Sequence, residues 1–175
     1  QRIVNPLQSV DAWTVLSDGS IAIVRGHDYH IDWIDADGTR RSSPKMPFDW
    51  RRLTDDDKQA LIDSARTETR KQDSLIAAAR ADAGRSALDG HGGVPMSTVE
   101  TRYVSPSDIA DYYPPIRTGA VRADLDGHVW ILPATTLQSA NGELIYDVVN
   151  RSGEVFERVR VPAGRSIAGF GRGDM

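Results

Sequence analysis

The sequence predicts an all-β fold, built from four-stranded antiparallel units and interrupted by one α-helical insertion. Three observations carry this reading. Short apolar-rich runs are bounded by Asp-Gly or Ser-Gly turns, the same order of runs and turns occurs twice, and a long polar helical stretch lies between the two copies. Glycine matters at these turns because tight hairpins need a positive φ that other residues adopt at a cost.

The clearer copy is Gly119 to Pro162. Gly119–Asp124 leads into the turn Leu125-Asp126-Gly127, and His128–Leu132 runs back. A looser loop, Pro133–Glu143, leads to Leu144–Val149. The turn Asn150-Arg151-Ser152-Gly153 then opens the last strand, Glu154–Val161. The earlier copy has the same plan. Asp11–Leu16 is a strand, Ser17-Asp18-Gly19-Ser20 a turn, and Ile21–Arg25 the return. Tyr29–Ile34 alternates ring or aliphatic with polar, the period of a half-buried strand. Asp35-Ala36-Asp37-Gly38 turns the chain into a poorer outer strand that ends at Pro47. After Pro162, Ile167-Ala168-Gly169-Phe170 followed by Gly173-Asp174 reads as the inner strand of a third copy.

The stretch between the copies differs in character. Thr54 is an N-cap, Asp57 completes a Thr-x-x-Asp box, and Asp55, Asp56 and Asp57 place negative charge at the positive end of the helix dipole. Helix formers run to Ala83, where Gly84 is a natural stop. Leu61, Ala65, Leu75, Ala79 and Ala83 make only a thin apolar stripe, so this helix rests on a surface or spans solvent. The expected organisation is residues 1–47 as the first unit, 48–115 as the insertion and linker, 116–162 as the second unit, and 163–175 as the start of a third.

Composition excludes several classes. The chain has 175 residues, a net charge of −4 and no clustered basic face, which argues against nucleic acid. No run approaches the roughly 18 apolar residues of a membrane helix. Without cysteine there is neither a disulfide nor a thiolate metal site. The chain opens on Gln1 with no signal-peptide pattern and stops just after a turn signal, as expected of a piece of a longer protein.

Repeats of this size are the signature of propellers and solenoids, in which one unit cannot bury both faces alone. The run Asp124-Leu125-Asp126-Gly127-His128-Val129-Trp130, with the turns at Asp18-Gly19-Ser20 and Asn150-Arg151-Ser152-Gly153, resembles blades of the six-bladed, NHL/TolB-like β-propellers of bacterial extracytoplasmic proteins. The resemblance covers Ala12–Pro47 and Gly119–Pro162 well and Ser166–Asp174 in part; the helical insertion lies outside it. It implies a β-propeller fragment, with the remaining blades supplied by the same protein or by other chains, and a periplasmic or secreted location. In such a blade every tight turn falls at one end, while the loop Pro133–Glu143 and the insertion fall at the other. Long loops on a rigid scaffold are where binding sits.

The expected function is therefore a non-enzymatic binding scaffold for a protein, peptide or glycan, engaged on the face that carries the insertion. Trp50, His91, Tyr112 and Tyr113 are the candidate ligand contacts, because they lie in the insertion and not in a sheet. The alternative implied by the resemblance is a lactonase-like, metal-dependent hydrolase with its site in the central channel. Asn5, Asp11 and Asp108 would contribute to it, and a divalent cation would be its cofactor in the full-length ring. No catalytic residue and no metal ligand is assigned in this chain. His27-Asp28-Tyr29-His30 suggests a cation site, but alternation puts the two histidines on opposite strand faces. Asp35-Ala36-Asp37-Gly38 and Asp124-Leu125-Asp126-Gly127 begin like calcium loops and lack the later acidic ligands, so they read as turns. His91, set among glycines, has no nucleophile motif beside it.

Overall fold

The computed structural model describes residues 2–86, 100–134 and 142–171. In chain order, β1 (Arg2–Val4) precedes β2 (Ala12–Val15), β3 (Ile21–Arg25), β4 (His30–Ile34) and β5 (Arg40–Ser42). Helix α1 (Asp55–Ser86) and β6 (Thr101–Tyr103) follow. β7 (Val121–Ala123), β8 (Val129–Ile131), β9 (Leu144–Val149) and β10 (Val155–Val161) complete the order. The molecule is mostly β, with two four-stranded antiparallel meanders, β2-β3-β4-β5 and β7-β8-β9-β10, and one helix.

The four hairpin turns share one construction. The amide of the fourth residue bonds back to the first carbonyl at Gly19, Gly38 and Gly153, and a Leu16–Ser20, Asp35–Thr39, Asp124–His128 or Asn150–Glu154 bond closes each turn. The glycine sits at φ 84 to 85 in all four. Asx side chains cap them in two ways. Asp18 and Asp37, third in their turns, accept the amides of Ser20 and Thr39. Asp124 and Asn150, first in theirs, accept two amides each. The preference of Asp and Asn for turns is thus spent on holding the hairpins.

The chain divides into two compact units. One comprises Gln1–Gln8 and Leu53–Asp111. In it β1 pairs in parallel with β6, and Leu53, Ile62 and Ile109 are buried. The predicted capping box closes the start of α1: the Thr54 amide donates to Asp57 at 2.9 Å and the Asp57 amide donates to the Thr54 hydroxyl at 3.2 Å. Lys58, buried on the same first turn, donates to Asp111 at 2.7 Å. Leu75 of the predicted stripe is exposed, as is Ile76, and the helix buries Ile62, which lies outside that stripe.

The other unit, Ser9–Arg52 with Tyr112–Met175, holds both sheets. They stack face to face and approach most closely along their first strands, β2 and β7. Alternation decides which residues meet. Ala12, Ala22, Val24, Ile31 and Trp33 of the first sheet pack on Val121, Val129, Ile131 and Val149 of the second in one core. The far face of the second sheet is closed as well: Tyr146 and Val148 are buried, and Phe170 lies 4.9 Å from Trp130. Ile167–Phe170, expected as a third inner strand, joins no ladder among the described residues. Among the described residues no sheet closes into a barrel.

Polar links tie the stack at both ends. At the tight-turn end, Arg151 bonds Asp18 and Ser20, and its guanidinium lies 5.3 Å from the Trp33 ring. At the loop end, the buried Tyr29 hydroxyl donates to Asp147 at 3.2 Å, and Arg158 donates to the other Asp147 oxygen at 2.9 Å. Burial, then the neighbouring Asp147 carboxylate, pushes the Tyr29 pKa far above its usual value.

Candidate functional site

The site builds outward from Tyr29. Its φ of 54 is left-handed, which a bulky residue adopts only when its surroundings fix it. Here the Tyr29 amide donates to the Arg25 carbonyl at 3.0 Å, its own carbonyl accepts the Met46 amide at 2.7 Å, and its hydroxyl is held by Asp147. The segment after β5 is thereby pinned beside the β3–β4 loop. Extended chain then places Phe48 and Trp50, two residues apart, on one side.

A row of rings results. Phe48 stands edge-on to Tyr29 at 5.4 Å and to Trp50 at 5.0 Å, and Trp50 stands edge-on to Tyr112 at 6.3 Å. Such contacts are worth about 0.5–1.5 kcal/mol each beyond the area they bury. The row runs from the buried core to solvent: Tyr29 is fully buried, Phe48 half-buried, Trp50 39% exposed and Tyr112 45% exposed. Backbone pairing fixes its outer end. Arg52 and Tyr112 form an antiparallel bridge, the Tyr113 amide donates to the Arg51 carbonyl at 3.0 Å, and the Arg51 guanidinium lies over the Tyr113 ring at 5.1 Å. Pro114, Pro115 and Ile116 are buried directly behind.

Three of the four sequence-predicted contacts, Trp50, Tyr112 and Tyr113, therefore come together where the chain leaves and re-enters the sheets. His91 lies outside the described residues. Phe48 and Tyr29 were not singled out as site residues. The spacing Phe48-Asp49-Trp50 was the signal available for Phe48, whereas the role of Tyr29 depends on a contact with Asp147, far along the chain.

The other candidates are engaged in structure. Both ring nitrogens of His30 face carboxylates, Asp28 at 2.6 Å and Asp32 at 3.2 Å, so neither is turned outward as a metal ligand. Asp124, Asp126 and His128 lie close enough to share an ion. However, the two Asp124 oxygens already accept the Asp126 and His128 amides, the His128 ring and the Trp130 indole. Burial alone would raise the Asp124 pKa; these donors outweigh it and hold it below the usual carboxylate value. Asp11 is taken by Arg25 and the Gly26 amide, Asn5 by the Leu7 amide, and Asp108 by the Ser105 amide. Comparison with family models, curated proteins and solved structures returned no match to this chain. No helix among the described residues is long and apolar enough to cross a membrane.

Proposed function

We propose that the two sheets are neighbouring blades of a propeller-type ring and that the protein is a non-enzymatic binding scaffold. Its ligand is a protein, peptide or glycan, held at the loop end where the insertion departs. The carrying observation is the exposed outer end of the aromatic row, Trp50 and Tyr112, mounted on a backbone bridge and braced by Phe48 against the core. Large flat side chains in fixed positions contribute contact area at little entropic cost, which suits stacking on a sugar ring or an extended peptide. The two-sheet stack, with its four alike turns, supports the blade reading. The resemblance to bacterial extracytoplasmic propellers supports a periplasmic or secreted location.

Peptide and glycan arrays probed with the chain, followed by titration of the best hit, test this reading. The variant Trp50→Ala with Tyr112→Ala is expected to lose at least about tenfold in affinity, as hot-spot aromatics do. It removes two edge contacts of about 0.5–1.5 kcal/mol each, so its unfolding midpoint should fall modestly while the chain stays folded. Parent-like binding by the variant would refute the site.

A further inference from the structure

A cavity of about 240 Å³ lies at the loop end of the second sheet, walled by Ala120, Leu132, Pro133, Ala134, Leu144 and Ile145. It opens where the chain enters β7, leaves β8 and enters β9. Backbone bonds fix its walls. The Ala120 amide donates to the Arg117 carbonyl at 3.1 Å and closes a turn, the Leu132 amide donates to the Ala120 carbonyl at 2.8 Å, and the Ala134 amide donates to the Pro115 carbonyl at 2.7 Å. Gly119 holds the turn at φ 80, and a Cβ there would meet open space. Walls held in this way stand before a ligand arrives, so little ordering is left to oppose binding. Two charged side chains join the lining, Arg117 and Glu143. Glu143 is answered by Arg160 at 3.5 Å. Arg117 is exposed and, among the described residues, enters no ion pair.

We infer that this cavity binds a small monocarboxylic acid, with the carboxylate on Arg117 and an aliphatic or aromatic body against the apolar walls. Volume sets the size: 240 Å³ is about eight waters' share of liquid, below the about 300 Å³ at which drug-sized sites begin. The walls set the character of the body. A polar one would give up its water to Leu132, Leu144 and Ile145 without hydrogen bonds from those side chains in return. Charge selects the head group. A guanidinium fork matches the two oxygens of a carboxylate. A doubly charged phosphate calls for a second free cation, and an amine would find Glu143 already held by Arg160. Neither the aromatic row nor the ring of blades enters into this assignment.

Methyl-resolved NMR titration of the full chain with hexanoate and with phenylpropanoate, each set against its uncharged amide, tests it. Saturable shifts are expected at the Leu132, Leu144 and Ile145 methyls, with the acids binding at least about fivefold more tightly than the amides. Arg117→Gln, at an exposed position, should fold as the parent does and bring the acids down to the affinity of the amides. No saturable shift at those methyls up to millimolar acid, equal binding of acid and amide, or acid binding indifferent to Arg117→Gln would overturn the assignment. Shifts confined to the Trp50 indole would overturn it too, by placing the acid on the aromatic row. The array experiment on Trp50 and Tyr112 reads other residues, so either proposal can fail while the other stands.

Discussion

Asp32 and Asp147 occupy the same place in two copies of one sheet, and their environments have little in common. Asp32 lies at the surface, where the Ser42 hydroxyl, then Arg25, hold its pKa below the ordinary carboxylate value. Asp147 is buried, accepting a tyrosine hydroxyl from the neighbouring sheet and an arginine from its own. The hydrogen-bonding frame is therefore common to both sheets, and what lies on top of each decides the work a side chain does. The same contrast holds at the turns. Gly38 and Gly153 share φ 85, but a Cβ on Gly38 would meet open space, whereas one on Gly153 would run into the Ser43 side chain that trails β5.

The glycine pair is the sharpest test of that difference. Gly38→Ala should cost about 1–2 kcal/mol, the strain of a left-handed alanine alone. Gly153→Ala adds overpacking at a closed seam and should cost about 3 kcal/mol or more. Urea unfolding of both variants measures the gap. Equal losses would mean that the Ser43 contact yields freely and that the seam between the sheets is loose.

The aspartates come next in size. Asp147→Ala strands a buried tyrosine hydroxyl and unpairs Arg158, which should cost about 2–3 kcal/mol. Asp32→Ala breaks only partly exposed pairs and should cost about 1 kcal/mol or less. If Asp32→Ala proves as damaging as Asp147→Ala, the pair of Asp32 with Arg25 is shielded from water.

How much of this was legible in the sequence depends on the range of the interaction. The turns were readable because Gly19, Gly38, Gly127 and Gly153 answer a purely local demand of the backbone. The cap at Thr54 and Asp57 was readable for the same reason. The pairing of β1 with β6 was not, since three residues carry no usable period and the partner strand is remote. Trp13 and Trp33 both read as residues within strands, but the sequence could not say which would be covered: Trp33 is fully buried and Trp13 lies open. Trp50, Tyr112 and Tyr113 could be named from their place in the insertion. That Trp50 touches Tyr112 came only from the bridge that folds the two ends of the insertion together.

The smallest effect, and the most diagnostic of the Tyr29–Asp147 link, is alkaline. Burial and the Asp147 carboxylate raise the Tyr29 pKa in the folded chain, so folding favours the neutral phenol. A free tyrosine ionises near about pH 10. Below that pH both states hold the proton and the contribution to stability is complete; above it the unfolded chain loses the proton first and the contribution declines, by at most about 1.4 kcal/mol per pH unit. Unfolding free energies measured as the pH is raised through this range should therefore fall more steeply for the parent than for Tyr29→Phe. The phenylalanine variant should start lower, by about 1 kcal/mol, from the missing hydrogen bond to Asp147. Parallel curves would mean that water reaches the hydroxyl, and that the loop-end seam beneath Phe48 and Trp50 is open on the timescale of proton exchange.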